Sequence, residues 1–464
     1  RIERDSLGER QVPADAYYGI QTLRALENFP ITDIPISNFQ SLIRALASVK
    51  QAAAMANMGL RLLDGDKGQA IVEACVEVRN GLFDDHFVVD VIQGGAGTST
   101  NMNANEVIAN RALERLGHEK GEYEFCHPNN DVNMSQSTND VYPTTLKIAT
   151  VWGIDSLLEA MDELRASFAK KGVEFHDVLK LGRTQLQDAV PMTLGQSFEA
   201  FSVTLSEDMT RLEEAKLLLY EINLGATAIG TGLNTLEGYS GKACQRLAEI
   251  TELPLTTSLN LVEATSDVGA FVQLSGVLKR IAVKLSKVCN DLRLLSSGPR
   301  AGLNEINLPS VQPGSTIMPG KVNPVIPEVV NQVCFQVIGN DVTISMAAEA
   351  GQLELNAFEP VMGFNLFQSI HTLKRAMRVL SGRCVDGITA NVDECRTHLE
   401  RSIGLVTALA PYIGYDDAAA LAKEALKTGR TVRELAIERG IYTEDRLDQI
   451  MDPDRMTRPS GDPR

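Results

Sequence analysis

Residues 271–295 read FVQLSGVLKRIAVKLSKVCNDLRLL, in which apolar side chains recur alternately three and four residues apart. This spacing lines up one apolar stripe along a helix, as in coiled coils and helix bundles. The first half of the stretch carries few charges, so we expect the helix to be buried on several sides. The positions of the stripe are Phe271, Leu274, Leu278, Ile281, Leu285, Val288, Leu292 and Leu295.

Other long segments share this helical periodicity. They lie at about 100–115, 139–172, 192–221, 323–349 and 364–385, and they exceed the ~11–12 residues of an average globular helix. Long helices with interrupted stripes favour a mainly α fold around a central bundle. Because one chain cannot cover so much apolar surface, we expect it to associate with other subunits.

The chain divides into three predicted domains. Its 464 residues exceed the roughly 250–300 that a single core holds. Residues 1–136 mix shorter elements with turns and form the predicted N-terminal domain, and residues 137–390 are nearly all long helix and form the central one. Residues 391–464 form a small C-terminal domain of short charged helices, whose Pro-rich end at 452–464 is expected to fray.

The composition excludes several classes of protein. The chain carries 44 Lys and Arg against 60 Asp and Glu, a net charge of −16, and no basic cluster, so we expect no nucleic acid partner. No run approaches the ~20 apolar residues of a membrane span, and residues 1–5 carry no apolar signal segment. Seven scattered cysteines without a CxxC pair fit reduced thiols, so we expect a cytoplasmic protein.

Small hydroxyl and amide side chains gather where three helices are predicted to begin. The stretches are GGAGTSTNMN at 94–103, SQSTND at 135–140 and GSTIMPGKVNP at 314–324. Pro143 suits a first helical turn, and Asn323 before Pro324 suits an N-cap. Capping explains any one stretch, but capping needs one hydroxyl and these supply several. Since helix N-termini also attract anions, the three stretches together predict a site for a small dicarboxylate.

The third stretch contains a candidate base. Ser315 can remove a proton only if its alkoxide is stabilised, and Lys321 and the backbone N–H groups of a turn can provide that. Gly314 and Gly320 allow the loop to act as a lid. A Ser–His–Asp arrangement has no local support, because no histidine lies near this loop.

Other functional motifs are missing. The six histidines form no HxxxH or HExxH pair, which argues against a metal site built from histidine. Gly230-Thr231-Gly232 begins like a dinucleotide-binding motif but lacks its third glycine. The single tryptophan, Trp152, is expected to serve packing on a helix.

The stretch 314–324 closely resembles the GSSxMPxKxNP signature of the aspartase/fumarase superfamily. The stretches at 97–103 and 137–140 resemble the other two polar regions of that family, in the same order and spacing, and the resemblance covers essentially the whole chain. It implies a three-domain fold with a long-helix bundle. It also implies a homotetramer whose active sites draw residues from three subunits.

Two positions favour the aspartate ammonia-lyase branch of this family. Gln185 stands where class II fumarases place a histidine, and Glu359 stands where a fumarase is expected to have lysine. The resemblance implies reversible deamination of L-aspartate to fumarate and ammonia. The reaction would proceed by abstraction of a Cβ proton through an enediolate, with no organic cofactor and no metal.

The resemblance also implies residue roles. Ser315 is the general base, supported by Thr316, which replaces the second serine of the signature. Gln185 cannot titrate, so it cannot act as acid or base, and Glu328 is expected to hydrogen-bond Gln185 or Lys321. The substrate-binding residues are Thr98, Ser137 and Thr138 on the carboxylate that becomes the enediolate, Asn139 and Thr184 on the substrate and its amino group, Gln185 as a donor or acceptor, and Lys321 and Asn323 on the other carboxylate.

Three alternatives remain open at this point. The main one is class II fumarate hydratase, which activity on L-malate would reveal. A non-catalytic structural relative is a second, although it would not need the hydroxyl-rich stretches. A lyase for a bulkier amino acid or a succinyl adduct, which would also release fumarate, is the third.

Overall fold

A computed structural model describes residues 1–459, and it is mainly α, with 62% of the chain helical. The helices are α1 (Ile20–Asn28), α2 (Gln40–Gly59), α3 (Gly65–Arg79), α4 (Thr98–Arg115), α5 (Thr138–Glu174), α6 (Leu194–Leu217), α7 (Tyr239–Thr251), α8 (Leu261–Ser266), α9 (Gly269–Leu295), α10 (Val325–Glu349), α11 (Glu359–Arg383), α12 (Val392–Arg401), α13 (Val406–Ile413), α14 (Tyr415–Thr428), α15 (Val432–Glu438), α16 (Glu444–Ile450) and α17 (Pro453–Met456). The predicted fold class is therefore confirmed.

In the part of the chain that the structure describes, short strands form four two-stranded sheets. Three are antiparallel, namely β1 (Ile2–Asp5) with β2 (Gly8–Gln11), β3 (Leu179–Thr184) with β4 (Gln187–Thr193), and β7 (Ile306–Asn307) with β8 (Thr389–Ala390). The fourth pairs β5 (Glu221–Ile222) with β6 (Thr256–Thr257) in parallel. A π-helical turn covers Pro128–Val132.

All six predicted long helices are present, and their starts differ from the predicted ones by one to five residues, most of all at α11. Two of these starts change the predicted role of a residue. Helix α10 begins at Val325, so Asn323 is not its N-cap. The amide of Asn323 instead donates to the Gly314 carbonyl oxygen at 2.6 Å and closes the preceding loop. Helix α5 begins at Thr138, which places Pro143 inside the helix rather than in its first turn.

A neighbouring side chain compensates for Pro143. Proline has no backbone N–H, so it leaves the carbonyl of the residue four positions earlier without its helical donor. That carbonyl belongs to Asn139, and the side-chain amide of Asn223 donates to it at 3.1 Å. The helix therefore continues past the proline without an unsatisfied carbonyl at that position.

The chain divides into two compact units. The first comprises Arg1–Glu159, Asp208–Ala282 and Cys334–Lys374, and the second comprises Ala160–Glu207, Val283–Val333 and the chain from Arg375. The five long helices α5, α6, α9, α10 and α11 contribute residues to both units. The predicted three-domain division stays a prediction, and residues 460–464, at its C-terminal end, lie outside the described residues.

The long helices pack against one another within each unit. In the first unit, Asp341 on α10 accepts from Ser275 Oγ at 2.8 Å and pairs with Lys279 Nζ at 2.6 Å, both on α9. Asn340 on α10 donates to Ser369 on α11 at 3.0 Å. In the second unit, α5 meets α11 through the Ser167 and Ser381 hydroxyls, 2.7 Å apart. These contacts are those of a helix bundle.

The apolar stripe of α9 is buried as predicted. Seven of its eight positions are at most 4% exposed, and Leu295 at the helix end is partly buried. Helix α10 differs, because Phe335, Val342 and Met346 lie on one of its faces and are 61%, 55% and 67% exposed. A stripe of large apolar side chains left in solvent is typical of an interface with another chain.

A separate small core supports the C-terminal helices. It contains Leu181 of β3 with buried residues of α12 to α16, among them Leu399, Leu421, Leu435 and Leu447. All seven cysteines are buried, and within residues 1–459 none of them forms a disulfide bond. Within residues 1–459, no helix combines the length and the apolar character needed to cross a membrane.

Candidate active site

The first polar stretch ends in the N-terminus of α4. Gly97 precedes the helix with φ +90°, and a Cβ at this position would lie 2.5 Å from Cγ of Tyr142. Glycine is required here both by the left-handed backbone and by the ring. Thr98 is the first residue of α4, and its hydroxyl donates to the Gly95 carbonyl oxygen at 2.7 Å.

The second polar stretch surrounds the N-terminus of α5. The Ser137 hydroxyl accepts from the Asn139 N–H at 3.2 Å, so its own proton is not used in that bond. The Asn139 side-chain amide donates to the Ala228 carbonyl oxygen at 2.7 Å. Asp140, which is fully buried, accepts from the Ser137 N–H at 3.0 Å and fixes the start of the helix.

Thr138 and α4 are joined by a network of amides. Asn101, one turn after Thr98, donates to the Thr138 hydroxyl at 3.1 Å and to Asn133 Oδ1 at 3.2 Å. Since the Thr138 oxygen already accepts a bond, its proton remains available for a substrate. The structure thus brings three predicted residues, Thr98, Ser137 and Thr138, to two neighbouring helix starts linked by Asn101.

A buried cation supports this network. Lys50 on α2 has no exposed surface, and its ammonium donates to Asn133 Oδ1 and Gln136 Oε1, both at 2.9 Å. Burial lowers the pKa of Lys50 to about 7, against the opposing effect of the Asp140 charge. Burial likewise raises the pKa of Asp140 to about 6, while hydrogen bonds from Ser137, Thr227 and Gly225 lower it.

Sequence reasoning missed Lys50, Asn101, Asn133 and Asp140 as supports of the site. Asn101 and Asp140 stood inside the quoted stretches, so their proximity to the hydroxyls was a usable signal. Lys50 lies in an alanine-rich helix more than 80 positions before its partners, and no neighbouring residue in the sequence indicates that it supports the site. Only the packing of α2 against the turn before α5 reveals its role.

Glu359, where a fumarase is expected to have lysine, is the first residue of α11 and is 2% exposed. Burial raises its pKa to about 8, and the charge of Lys147 opposes that rise. Burial also raises the pKa of Tyr142, and the charge of Glu359 adds to this effect. This carboxyl therefore lies near the ring that packs on Gly97.

In the second unit, Gln185 lies in the turn of the hairpin formed by β3 and β4. Thr184 pairs with Gln187 across β3 and β4, which leaves Gln185 and Leu186 as a two-residue turn. Their φ angles are +54° and +61°, the pattern of a type I′ turn, which usually contains glycine or asparagine. The turn is strained because neither of its residues is glycine or asparagine. The side chains of Gln185 and of the adjacent Thr184 are both exposed to solvent.

The loop 314–324 also lies in the second unit, and its backbone binds the Ser315 hydroxyl. Ser315 Oγ accepts from the Ile317 N–H at 3.2 Å and from the Met318 N–H at 3.0 Å. The loop is closed by the Gly314 N–H, which donates to the Lys321 carbonyl oxygen at 2.7 Å. Two N–H groups that point at one oxygen stabilise negative charge on it.

The other predicted residues of this loop differ in exposure. Thr316 and Lys321 are exposed, and Glu328 is partly buried in the first turn of α10. In residues 1–459 the Glu328 carboxylate makes no hydrogen bond to Gln185 or to Lys321 within the chain, and this pairing stays a prediction. Among these described residues, no group of three or more His, Cys, Asp or Glu side chains is placed to hold a metal ion.

Two family models match the chain. The model described as lyase matches residues 8–339, and the model of the fumarase C C-terminus matches residues 405–458. The first covers the three polar stretches, and the second covers most of the small C-terminal core.

Full-length relatives are similar in sequence. Aspartate ammonia-lyase of Pseudomonas canavaninivorans is 61% identical over 460 residues, 99% of this chain and 97% of the relative. The enzyme of that name from Helicobacter pylori strain ATCC 700392 is 56% identical over 459 residues, 99% of this chain and 98% of the relative. That of Escherichia coli strain K12 is 56% identical over 461 residues, 99% and 96% of the two chains.

Solved structures share the fold. A fumarate lyase:delta crystallin from Brucella melitensis bound to cobalt matches with a TM-score of 0.97 and 59% identity, over 99% of this chain and all of that one. A class II fumarase from Schistosoma mansoni matches with a TM-score of 0.94 and 36% identity, over 99% and 100% of the two chains. The predicted resemblance is confirmed, and the chain belongs to the lyase family of the aspartase/fumarase superfamily.

Proposed function

We propose that this chain catalyses the reversible deamination of L-aspartate to fumarate and ammonia. The full-length relatives named aspartate ammonia-lyase, at 56 to 61% identity, carry this conclusion. The class II fumarase structure is more distant, at 36% identity. The chain is thus a carbon–nitrogen lyase, as its sequence predicted.

Ser315 removes the Cβ proton in this proposal. The hydroxyl must first lose its own proton, and an isolated serine is far too weak an acid for that. The N–H groups of Ile317 and Met318 already point at its oxygen, and they would stabilise the alkoxide at no cost of rearrangement. Thr316 keeps a hydroxyl next to the base but is stiffer than serine because it is β-branched.

The electrons of the broken C–H bond move into the neighbouring carboxylate, which becomes a doubly charged enediolate. Ser137 and Thr138 can donate to it, because each hydroxyl oxygen already accepts a bond and keeps its proton. The Thr98 hydroxyl donates to Gly95 in the free chain, so it must rotate to join them. Donors placed before the charge forms stabilise it most.

Collapse of the enediolate forms the C=C bond and breaks the C–N bond. The amino group is already protonated and leaves as ammonia, so no general acid is required. That fits Gln185, which cannot titrate. Asn139 and Thr184 position the substrate and its amino group, Lys321 and Asn323 hold the second carboxylate, and Glu328 supports Gln185 or Lys321.

We also propose a homotetramer of three-domain subunits, with domains at 1–136, 137–390 and 391–464 and with active sites shared by three subunits. The exposed stripe of Phe335, Val342 and Met346 supports the assembly, since burial of such side chains in an interface is favourable. Seven buried cysteines without a disulfide bond among the described residues fit a reducing compartment, which supports the cytoplasm as the location of the protein.

The test is a comparison of substrates. Purified protein is incubated separately with L-aspartate, L-malate and a succinyl adduct, and fumarate is followed by its absorbance. We expect fumarate from L-aspartate and none from the other two. Fumarate from L-malate alone would assign the chain to the fumarases, and no fumarate from any of them would point to a structural role.

A further inference from the structure

A cavity of about 1080 Å³ lies in the first unit, apart from the polar helix starts. Its walls come from residues 37–44, residues 79–80 and the middle parts of α5 and α11. Ligand pockets commonly occupy ~300–1,000 Å³, so this one is large enough for an organic ligand. None of the predicted catalytic or substrate-binding residues lines it.

The charges in the cavity are all of one sign. Arg44, Arg79 and Lys374 line it together with His371, and no Asp or Glu does, in a chain whose net charge is −16. Within residues 1–459, none of the three cations forms an ion pair with a carboxylate. Asp84 is the nearby carboxyl group: burial raises its pKa, and the charge of Arg44 opposes that rise. Clustered cations without counter-ions favour an anionic ligand.

Arg79 is the clearest example of an uncompensated cation. It is partly buried, and its guanidinium donates to the neutral acceptors Gln51 Oε1 at 3.0 Å and the Ile250 carbonyl oxygen at 3.2 Å. Burial also lowers its pKa, against the opposing effect of the Cys75 thiol. A partly buried positive charge held by neutral groups is best neutralised by a bound anion.

Aromatic side chains line the same cavity. Trp152, the single tryptophan of the chain, is partly buried at its wall, and Phe39 and Phe367 pack against each other beside it with ring centroids 5.5 Å apart. The sequence suggested only a packing role for Trp152. Flat apolar walls next to cations suit a ligand that joins a planar ring to a phosphate group.

We propose that this cavity binds a nucleoside phosphate, with its phosphates at Arg44, Arg79 and Lys374 and its base against Trp152. The site is independent of the deamination site and would hold its ligand whether or not the substrate is present. No covalent step is involved.

Trp152 provides the measurement, because its fluorescence reports directly on the cavity. The full-length protein is titrated with ATP in the presence of EDTA, with adenosine and tripolyphosphate as separate probes. We expect a saturable change with ATP and much weaker binding of either half alone. No saturable change, or adenosine or tripolyphosphate binding as tightly as ATP, would overturn the proposal.

Variants then locate the bound phosphates. Arg44→Gln and Lys374→Met should each weaken ATP binding about tenfold or more, because each removes a charge-assisted contact. Lys242→Met is the matched control, since Lys242 is an exposed lysine of α7 outside the cavity, and it should bind ATP as the wild type does. Equal affinity in all three variants would contradict the assigned site, and circular dichroism checks their folding.

Discussion

The Thr138 hydroxyl is the predicted donor whose environment is best defined. Its oxygen accepts from Asn101 at 3.1 Å, and this bond leaves the hydroxyl proton free for the substrate carboxylate. Asn101 is itself buried and shares Asn133 with Lys50. The orientation of one predicted substrate-binding hydroxyl thus depends on a chain of three supporting side chains.

Replacement of Thr138 by valine should therefore reduce kcat/KM for L-aspartate by about 10²–10³-fold, the cost of losing one donor to a developing oxyanion. Valine keeps the shape, so the fold should survive. Thr138→Ser is the matched variant and should retain most of the activity. Steady-state kinetics of both proteins decide the matter, and equal losses in the two would show that the hydroxyl itself is not needed.

The buried ammonium of Lys50 should make stability depend on pH. Its pKa is about 7 in the folded state against the usual 10.5 of a solvated lysine, so the unfolded state holds more protons between these values. The contribution of Lys50 to the free energy of unfolding should therefore rise with pH across this window, by up to about 1.4 kcal/mol per pH unit. Urea unfolding at several pH values measures the slope.

In Lys50→Met this slope should be reduced, whereas exposed Lys242→Met should keep it. Lys50→Met should also raise KM for L-aspartate, because Asn133 and Gln136 lose a common donor next to the start of α5. Unchanged slope and unchanged KM would show that Lys50 supports neither the fold nor the site in this way.

The sequence indicated candidate site residues only where the chemistry was local. Ser315, Thr138 and Ser137 stood in hydroxyl-rich stretches whose composition exceeded the needs of a helix cap. Lys50 could not be found, because its partners lie more than 80 positions away along the chain. The same holds for the strained turn at Gln185, since glutamine and leucine are not the residues that such turns favour.

Among the helices, the start of α4 depends on a glycine in two ways. Gly97 has φ +90°, and a Cβ there would lie 2.5 Å from the Tyr142 ring. Tyr142 is fixed within α5, so α4 and α5 can approach only if this position has no side chain. The approach brings Thr98 and Thr138 to the same region.

Gly97→Ala should lower the free energy of unfolding by about 2–5 kcal/mol, the sum of backbone strain and the forced contact. Gly117→Ala is the control, because Gly117 has φ +85° but a Cβ at that position would have no atom within 4 Å. That control should cost only the strain, about 1–2 kcal/mol. Thermal unfolding compares them, and equal shifts would show that the contact with Tyr142 is unimportant.

Six long helices were predictable from their apolar periodicity, whereas the alanine-rich α2, with 20 residues, was not predicted. The residues at which these helices begin were harder to predict, because they depend on side chains from elsewhere in the chain that bond to the backbone there. Pro143 lies inside α5 only because Asn223 satisfies the Asn139 carbonyl. Asn323 closes a loop through its side-chain amide, which donates to the Gly314 carbonyl oxygen, and α10 begins two residues later at Val325.

For the molecule as a whole, periodicity predicted a bundle but not the division of the chain. Helices α5, α6, α9, α10 and α11 each contribute to both compact units, which no boundary in the sequence marks. The sequence led us to expect partner subunits, and the exposed apolar face of α10 agrees with that expectation. This face consists of Phe335, Val342 and Met346. Shared active sites are the consequence that can be measured.

If each active site draws residues from more than one subunit, two variants with little activity should regain activity when their subunits are mixed. Thr138→Val and Ser315→Ala are mixed in equal amounts, dissociated and reassembled. If the two residues of one site come from different subunits, about a quarter of the sites regain both, and about a quarter of wild-type activity should return. Reassembly of each variant alone is the control. No recovery in verified mixed tetramers would place both residues in one subunit.

The most direct test of the mechanism is the rate of fumarate formation from saturating L-aspartate by Ser315→Ala. The variant removes only the hydroxyl that the Ile317 and Met318 N–H groups bind. We predict a loss in kcat on the order of 10³-fold or more, with the oligomeric state and circular dichroism of the wild type. Turnover within a fewfold of the wild-type rate would contradict Ser315 as the base.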